Sequence, residues 1–407
     1  MTAKNKIGII GAGAAGIIAA IYASDIDNEV VLLEKNNKIG KKIYITGKGR
    51  CNITNASDPS EHIENCVRNQ QFLYSALYSF QYGDIISLLN ENGLDTKIER
   101  GNRVFPATDK ASDVVNTFSK ILSSKRIDIR LNQDVKRIEK NNDKFIVNTI
   151  NNEYKFDKLI IATGGLSYPS TGSNGSINPI IKKLGHSFTD MYPVLTSFFT
   201  KEDVSNCAGL TLKNIKFKLK NIELFGDLLF THKGISGPVI LTMTSLIDNS
   251  IKFPIEANIN LKPALEPDVL DRRLIREIEK SPSRNIGNML KELLPLKLIE
   301  SIIERTNLNK FDKASTINKS VRRKIVDNIL DYKITINGIT GFKDAVVTRG
   351  GINVKEINPH SMESKIVKNL YFAGEIIDVD SLTGGYNLQI AWSTGYLAGI
   401  SAKKCDI

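Results

Sequence analysis

Residues 6–34 read KIGIIGAGAAGIIAAIYASDIDNEVVLLE. Ile7, Ile9 and Ile10 form a short β-branched apolar run, which predicts a buried strand. It leads directly into Gly11, Gly13 and Gly16 at GxGxxG spacing. Each glycine has its own task in a dinucleotide-binding turn: Gly11 permits the tight bend, Gly13 lets a pyrophosphate approach the backbone, and Gly16 lets the following helix pack close on the sheet. The free N–H groups at the start of that helix then cradle the phosphates. A second strand, Val30 to Leu33, ends at Glu34, 18 residues past Gly16. A carboxylate there accepts from ribose hydroxyls and favours an unphosphorylated adenosine ribose, as in FAD or NAD. Strand, glycine turn, helix and terminal acid stand in register, which separates this stretch from an ordinary βαβ turn.

At 407 residues the chain has room for two or three domains. Its 41% hydrophobic and 24% charged residues are those of a soluble globular protein. No apolar run reaches membrane-spanning length, and residues 1–5 go straight into the first strand, so a cytoplasmic protein without a membrane partner is expected. Cys51, Cys66, Cys207 and Cys405 are scattered and share no metal-ligand spacing with the four histidines, so no metal site is expected. The net charge of +11 draws the chain toward polyanions.

Past Glu34, residues 36–55 (NNKIGKKIYITGKGRCNITN) read as a cofactor-lining loop. Phe72, Leu73, Leu77, Phe80, Ile85, Leu88 and Leu89 form an apolar stripe, predicting a helix over about 70–92. A helix over 109–123 precedes strands at 127–131, 135–138, 144–150 and 154–162, the last ending in the turn Ala162-Thr163-Gly164-Gly165. From Pro193 short strands take over, with Ile215, Phe217 and Leu219 alternating against Lys216, Lys218 and Lys220. Proline-punctuated helices follow over 267–330, with breaks near Pro282 and Pro295. Residues 201–333 hold 23 basic and 17 acidic side chains, so the chain's positive excess is modestly concentrated there. The C-terminal part returns to the first pattern: a strand over 370–373, Gly374-Glu375, the turn Gly384-Gly385 and a small-residue helix over 387–402. Such a unit turns a second helix N-terminus toward the pyrimidine end of an isoalloxazine, stabilising negative charge on the reduced ring. The expected fold class is α/β: a two-part Rossmann-type domain (1–191 and 334–407), an inserted β part (192–262) and a helical part (263–333).

Six ordered blocks, GIIGAGAAG, TGKGRCNITN, FPATDKASDVV, ATGGLSYPSTGSNG, LFTHKGISGP and YFAGEIIDVDSLTGGYNLQIAWSTGYLAG, make the chain resemble the bacterial BaiN-like or RdsA-like FAD-dependent oxidoreductases, also called aminoacetone-oxidase-like. The resemblance implies FAD in the two-part Rossmann-type domain, with an inserted β-barrel and a small helical domain above the flavin. It places the pyrophosphate loop on Gly11, Gly13, Ala14, Ala15 and Gly16, the ribose acid on Glu34, and a flavin-proximal loop on Gly49, Arg50, Cys51 and Asn52. In that loop Lys48 departs from the family's glycine. By the same resemblance Val135 presents its backbone to adenine and Thr163 and Gly164 lie near the pyrophosphate. Gly374, Glu375 and Asp378 sit by the ribitol and phosphates, and Gly385, Tyr386, Asn387 and Leu388 line the isoalloxazine. Lys35 and Lys42 complete the expected cofactor-binding set.

Flavin carries the redox step, so the protein has only to orient a substrate over N5 and supply a proton. Cys51 is the first candidate, because the neighbouring Arg50 charge favours a thiolate; His232, in FTHKGISGP, is the alternative general acid. No Ser/His/Asp set or carboxylate pair has hydrolase spacing. The RdsA-type members imply reduction of a uridine of 23S ribosomal RNA to dihydrouridine. Arg322-Arg323-Lys324, Arg272-Arg273 and the strand 213–220 are then the phosphate-binding surface. The alternatives are a small enone, amine or imine as substrate, and an RNA-binding or assembly protein with structural FAD. No second GxGxxG is present, so NAD(P)H is expected as a transient reductant at the substrate face.

Overall fold

The computed structural model describes residues 5–248 and 250–404; Cys405 lies outside them. The chain divides into two compact units, one of Met1–Val194 with Gly341–Ile407 and one of Leu195–Thr340.

The first unit is built on a five-stranded parallel sheet ordered Leu370–Phe372, Lys158–Ile161, Asn5–Ile10, Asn28–Leu33, Asp128–Arg130. Both ends of the unit thus contribute strands to one sheet. Ile7 pairs with Val30 on one side and Lys158 on the other. Ile7, Ile9, Leu32, Leu33, Ile160 and Ile161 are fully buried, the both-faces burial of a parallel sheet. The first helix, Ala14–Ala23, packs on the last, Tyr386–Lys403, through small residues. A Cβ on Gly395 would fall 2.4 Å from the Ala15 carbonyl oxygen, and one on Gly399 2.6 Å from that of Ala19. The small-residue character of both helices follows from this close approach.

Two expected elements are divided. The stretch 154–162 is two strands: Glu153–Phe156 pairs antiparallel with Lys144–Thr149, whereas Lys158–Ile161 enters the parallel sheet. The switch is at Asp157, whose carboxylate accepts the Lys6 N–H at 2.8 Å and meets the Lys144 ammonium at 2.8 Å. The helix expected over 70–92 is a 3-10 turn at Gln70–Leu73, then helices Tyr74–Ser79 and Tyr82–Glu91. Phe80 is extended, and the Gln81 N–H donates to the Asp84 carboxylate at 2.6 Å, starting a new helix.

The second unit is a closed six-stranded barrel ordered Phe198–Thr200, Gly234–Ser236, Ile222–Phe230, Thr211–Leu219, Ile255–Asn260, Tyr332–Ile339. Ile215, Phe217, Leu219, Leu228, Phe230, Ile259 and Ile336 fill it. The helices Pro267–Lys280, Leu296–Thr306 and Lys319–Leu330 bury Leu270, Leu274, Ile302, Ile325 and Ile329 in the same core. Barrel and helices are one unit rather than two, and the closing strand carries it to Thr340, past the expected boundary at 333. Among the described residues no helix is long and apolar enough to cross a membrane, and no cluster of His, Cys, Asp or Glu could hold a metal.

Candidate cofactor cleft

The first unit has a cleft of about 1410 Å³, open in part to solvent, at the carboxyl ends of the parallel strands. This is where open α/β sheets bind ligands. Its lining is drawn from both halves of the unit.

The glycine turn forms one wall. Gly11, at φ +101°, donates its N–H to the Leu33 carbonyl at 2.8 Å and so ties the turn to the second strand. A Cβ on Gly11 would lie 2.5 Å from the Ala162 carbonyl oxygen; one on Gly16 would lie 1.8 Å from the Gly11 oxygen. Gly13, at the N-terminus of the first helix, is different: a Cβ there meets nothing within 4 Å. Its α-carbon faces the open cleft beside Ala14 and Ala15, with the first-turn N–H groups of the helix unclaimed by any side-chain cap. That is an anion cradle.

Glu34 is 7% exposed and lines the cleft. One carboxylate oxygen accepts the Ala12 N–H at 2.8 Å, and the other accepts the Asn36 N–H at 2.9 Å and side-chain amide at 2.6 Å. The acid therefore braces the glycine turn, and with about four lone-pair sites it keeps capacity for hydroxyl donors. Lys35 reaches Asn174 at 2.8 Å, and burial pushes its ammonium below the ordinary lysine range. Val135 stands at the same end with Gln133. Thr163 and Gly164 complete the middle of the cleft, and the buried Thr163 hydroxyl has no partner. At the C-terminal half, Gly374, Glu375, Asn387 and Leu388 line it. Asn387 holds the turn before the last helix: its amide accepts the Ser381 N–H at 3.0 Å and donates to the Ser381 carbonyl at 2.8 Å.

Other expected site residues lie elsewhere. Gly16 packs behind the turn. Gly49 is exposed. Arg50 pairs with Glu99 and Asp109, each at 2.5 Å, and stacks 4.1 Å from the Phe105 ring centre. Its charge is consumed there, and the thiolate expected at Cys51 is corrected: Cys51 is fully buried, outside the cleft lining, and burial pushes its thiol up to about 12. Asn52 also stands outside the lining, with a buried side-chain oxygen lacking a partner. Only the 36–46 part of the expected cofactor loop reaches the cleft, through Asn36, Lys41, Lys42, Ile43 and Thr46. Asp378 turns to Arg68 at 3.1 Å. Gly385 caps the last helix against Thr54, and Tyr386 packs edge-on to His62 at 5.1 Å with its hydroxyl 3.3 Å from Glu61. His232 is exposed in the second unit, on the turn between two barrel strands.

Sequence reasoning passed over the loop 171–177, every residue of which lines the cleft, as well as Gln133, Val346 and Val347. The signal for the loop was its composition: Gly164, Gly172 and Gly175 adopt φ of +74°, +112° and +71°, bending the segment around the opening. The Arg322 expected to face RNA is also corrected. Its guanidinium donates to Asp271 at 2.6 and 3.2 Å across two helices, with the side chain 15% exposed.

The residues present fit a flavin dinucleotide: a ribose acid, a phosphate cradle that a Cβ would fill, an orphaned hydroxyl beside it, and a second helix start at the far end. The model of the HI0933-like protein Rossmann domain matches residues 5–401. A 3-dehydro-bile acid delta(4,6)-reductase of Clostridium scindens is 31% identical, over 98% of this chain and 99% of the relative. A ribosomal RNA dihydrouridine synthase of Haemophilus influenzae is 30% identical, over 97% and 98%. Among solved structures, a 3-ketosteroid-delta4-(5alpha)-dehydrogenase of Rhodococcus jostii shares the fold at 13% identity and a TM-score of 0.54, covering 99% of this chain and 98% of that one.

Proposed function

The chain belongs to the family of HI0933-like proteins with a Rossmann domain and is a flavin-dependent oxidoreductase; on that premise we propose that it binds FAD in this cleft and reduces a carbon–carbon double bond conjugated to a carbonyl, that of a uridine in ribosomal RNA. The names of both relatives describe saturation of such a bond: C5–C6 of uracil in one, the dienone of a 3-oxo bile acid in the other. The reaction type is therefore better defined than the substrate.

When bound, FAD supplies the hydride. Glu34 takes the adenosine ribose, the Gly13 cradle and the first helix take the pyrophosphate, and Thr163 donates its free hydroxyl to the same region. Lys42, Thr46, Asn387 and Leu388 surround the far end, where the ring lies. NADH or NADPH is the reductant and visits this end transiently, since the chain has one GxGxxG. Cys51 is a poor proton donor on this reading, since its thiol is fully buried and outside the cleft lining.

The observation that carries RNA as substrate is the charge of the second unit. Lys213, Lys218 and Lys220 are exposed on one barrel hairpin and form no ion pair within 4 Å among the described residues, and they lie within the 23-to-17 excess of basic residues between 201 and 333. Exposed lysines free of a close ion pair are available to phosphates. A small enone is the second reading, favoured by the 31% identity to the bile acid reductase. Anaerobic reoxidation of the reduced holoprotein separates them. Ribosomal RNA lacking dihydrouridine should restore the oxidised flavin spectrum and acquire the modification, whereas reoxidation by cyclic enones with RNA inert would refute the RNA assignment.

A further inference from the structure

On the wall of the cleft, Lys42 and Glu375 belong to a charged cluster with Ser167 and Thr348. Lys42, on the short helix Lys41–Ile45, places its Nζ 2.5 Å from Glu375 Oε2 and 2.6 Å from Ser167 Oγ. The Ser167 hydroxyl and the Thr348 N–H donate to the other Glu375 oxygen at 2.6 and 2.8 Å. The Thr348 hydroxyl accepts the N–H groups of Leu166 and Ser167 at 2.8 and 2.9 Å. A Cβ on Gly165 would come within 2.6 Å of Thr348 Oγ1 and 3.1 Å of Glu375 Oε1, so the glycine turn closes over the cluster. Burial raises the Glu375 pKa, but the Lys42 charge and the three donors outweigh it and hold the carboxyl below its ordinary range.

An ammonium has three N–H donors, and two are spent on Ser167 and Glu375. Lys42 and Glu375 both line the cleft. Thr46, Val346 and Leu388 line the same cleft. A brace needed only for packing gains little from an ion pair, since apolar side chains of similar volume serve as well or better. A fixed charge beside a redox ring does something apolar residues cannot. Two-electron, one-proton reduction of FAD, with the electrons supplied by the reductant, leaves the ring with one added negative charge. A locked ammonium nearby favours that state, and a nearby carboxylate opposes it.

We propose that Lys42 is the fixed positive charge that sets the reduction potential of the bound flavin, with Glu375 as its electrostatic counterweight. The inference rests on FAD occupying the cleft with its ring at the Lys42 end. The test is a reference-dye titration of the holoprotein with dithionite, alongside separate dissociation constants for oxidised and reduced FAD. Lys42→Met should weaken binding of reduced relative to oxidised FAD at least tenfold, which lowers the potential by about 30 mV for a two-electron couple. Glu375→Gln should move the ratio by a similar factor in the opposite direction. The double variant should return close to wild type. A structural role would weaken both redox forms alike and leave the ratio within twofold, and that result, or shifts of the same sign in both variants, overturns the inference. Should Lys42→Met fail to fold, the sign of the Glu375→Gln shift decides alone. A wild-type chain that takes up no FAD overturns instead the reading beneath it.

Discussion

Gly13→Ala should separate binding from folding. A Cβ there meets no protein atom within 4 Å, and the backbone at φ −84° and ψ −167° is open to alanine. Two small effects on the apoprotein oppose each other: alanine is a poorer N-cap than glycine, and it restricts the unfolded chain. The net change in stability should stay within about 1 kcal/mol. The added methyl enters the space where phosphate oxygens meet the first-turn N–H groups. A hydrogen bond to a charged group contributes roughly 1.5–3 kcal/mol, so pushing the phosphate off one or two such donors should cost about 3 kcal/mol. That is roughly a hundredfold in Kd. Gly395→Ala is the contrasting variant. Its Cβ would sit 2.4 Å from the Ala15 oxygen, and ordinary contact needs the two helices to part by about 1 Å. Overpacking of this kind costs about 1–3 kcal/mol of stability and moves the turn that carries Ala15. Urea unfolding of the apoproteins and FAD fluorescence quenching read both quantities. Unchanged FAD affinity in Gly13→Ala, or a loss of stability equal to that of Gly395→Ala, would refute the assignment of the cradle.

Cys51→Ala should retain flavin reduction and substrate turnover while losing roughly 1–2 kcal/mol of stability to the small cavity, and native Cys51 should resist alkylation at pH 8 until urea exposes it. Glu375 is held below its ordinary pKa, so its contribution to stability is present above the ordinary Glu range and is lost as pH falls through the folded value. Unfolding midpoints from pH 7 down to 3 should therefore fall more steeply for wild type than for Glu375→Gln. Arg322→Ala should lower the urea midpoint by breaking the Asp271 pair, by roughly 1 kcal/mol or more, with RNA affinity hardly changed. Lys218→Ala should do the reverse, weakening RNA binding and reducing the salt slope by about 0.7 per lost phosphate contact.

The first strand, its glycine turn and Glu34 were legible in the sequence because each task there demands a particular residue type at a set spacing. The return of the chain to the same sheet at Leu370–Phe372 was legible for the same reason: a strand, a GG turn and a small-residue helix repeat the grammar of the first unit. Side-chain destinations were not legible. Arg50 adjoins Cys51 in the chain, yet the left-handed residues Lys48 and Cys51 twist the loop so that the guanidinium leaves for Glu99, on a distant hairpin, and Asp109, just past it. Arg322 has two basic neighbours in sequence, but its partner is Asp271, on another helix. Proximity in the chain says little about charge pairing when the opposing acid comes from elsewhere. The cluster joining Lys42, Ser167, Thr348 and Glu375 draws on four separated segments and left no local pattern to read.

The most direct test of the function is the nucleoside composition of ribosomal RNA from cells with and without the gene, measured by mass spectrometry. Loss of dihydrouridine from the large-subunit RNA on deletion, restored by the wild-type gene, is the expected result. An unchanged dihydrouridine content would contradict it and leave the small conjugated carbonyl as the substrate of this flavoenzyme.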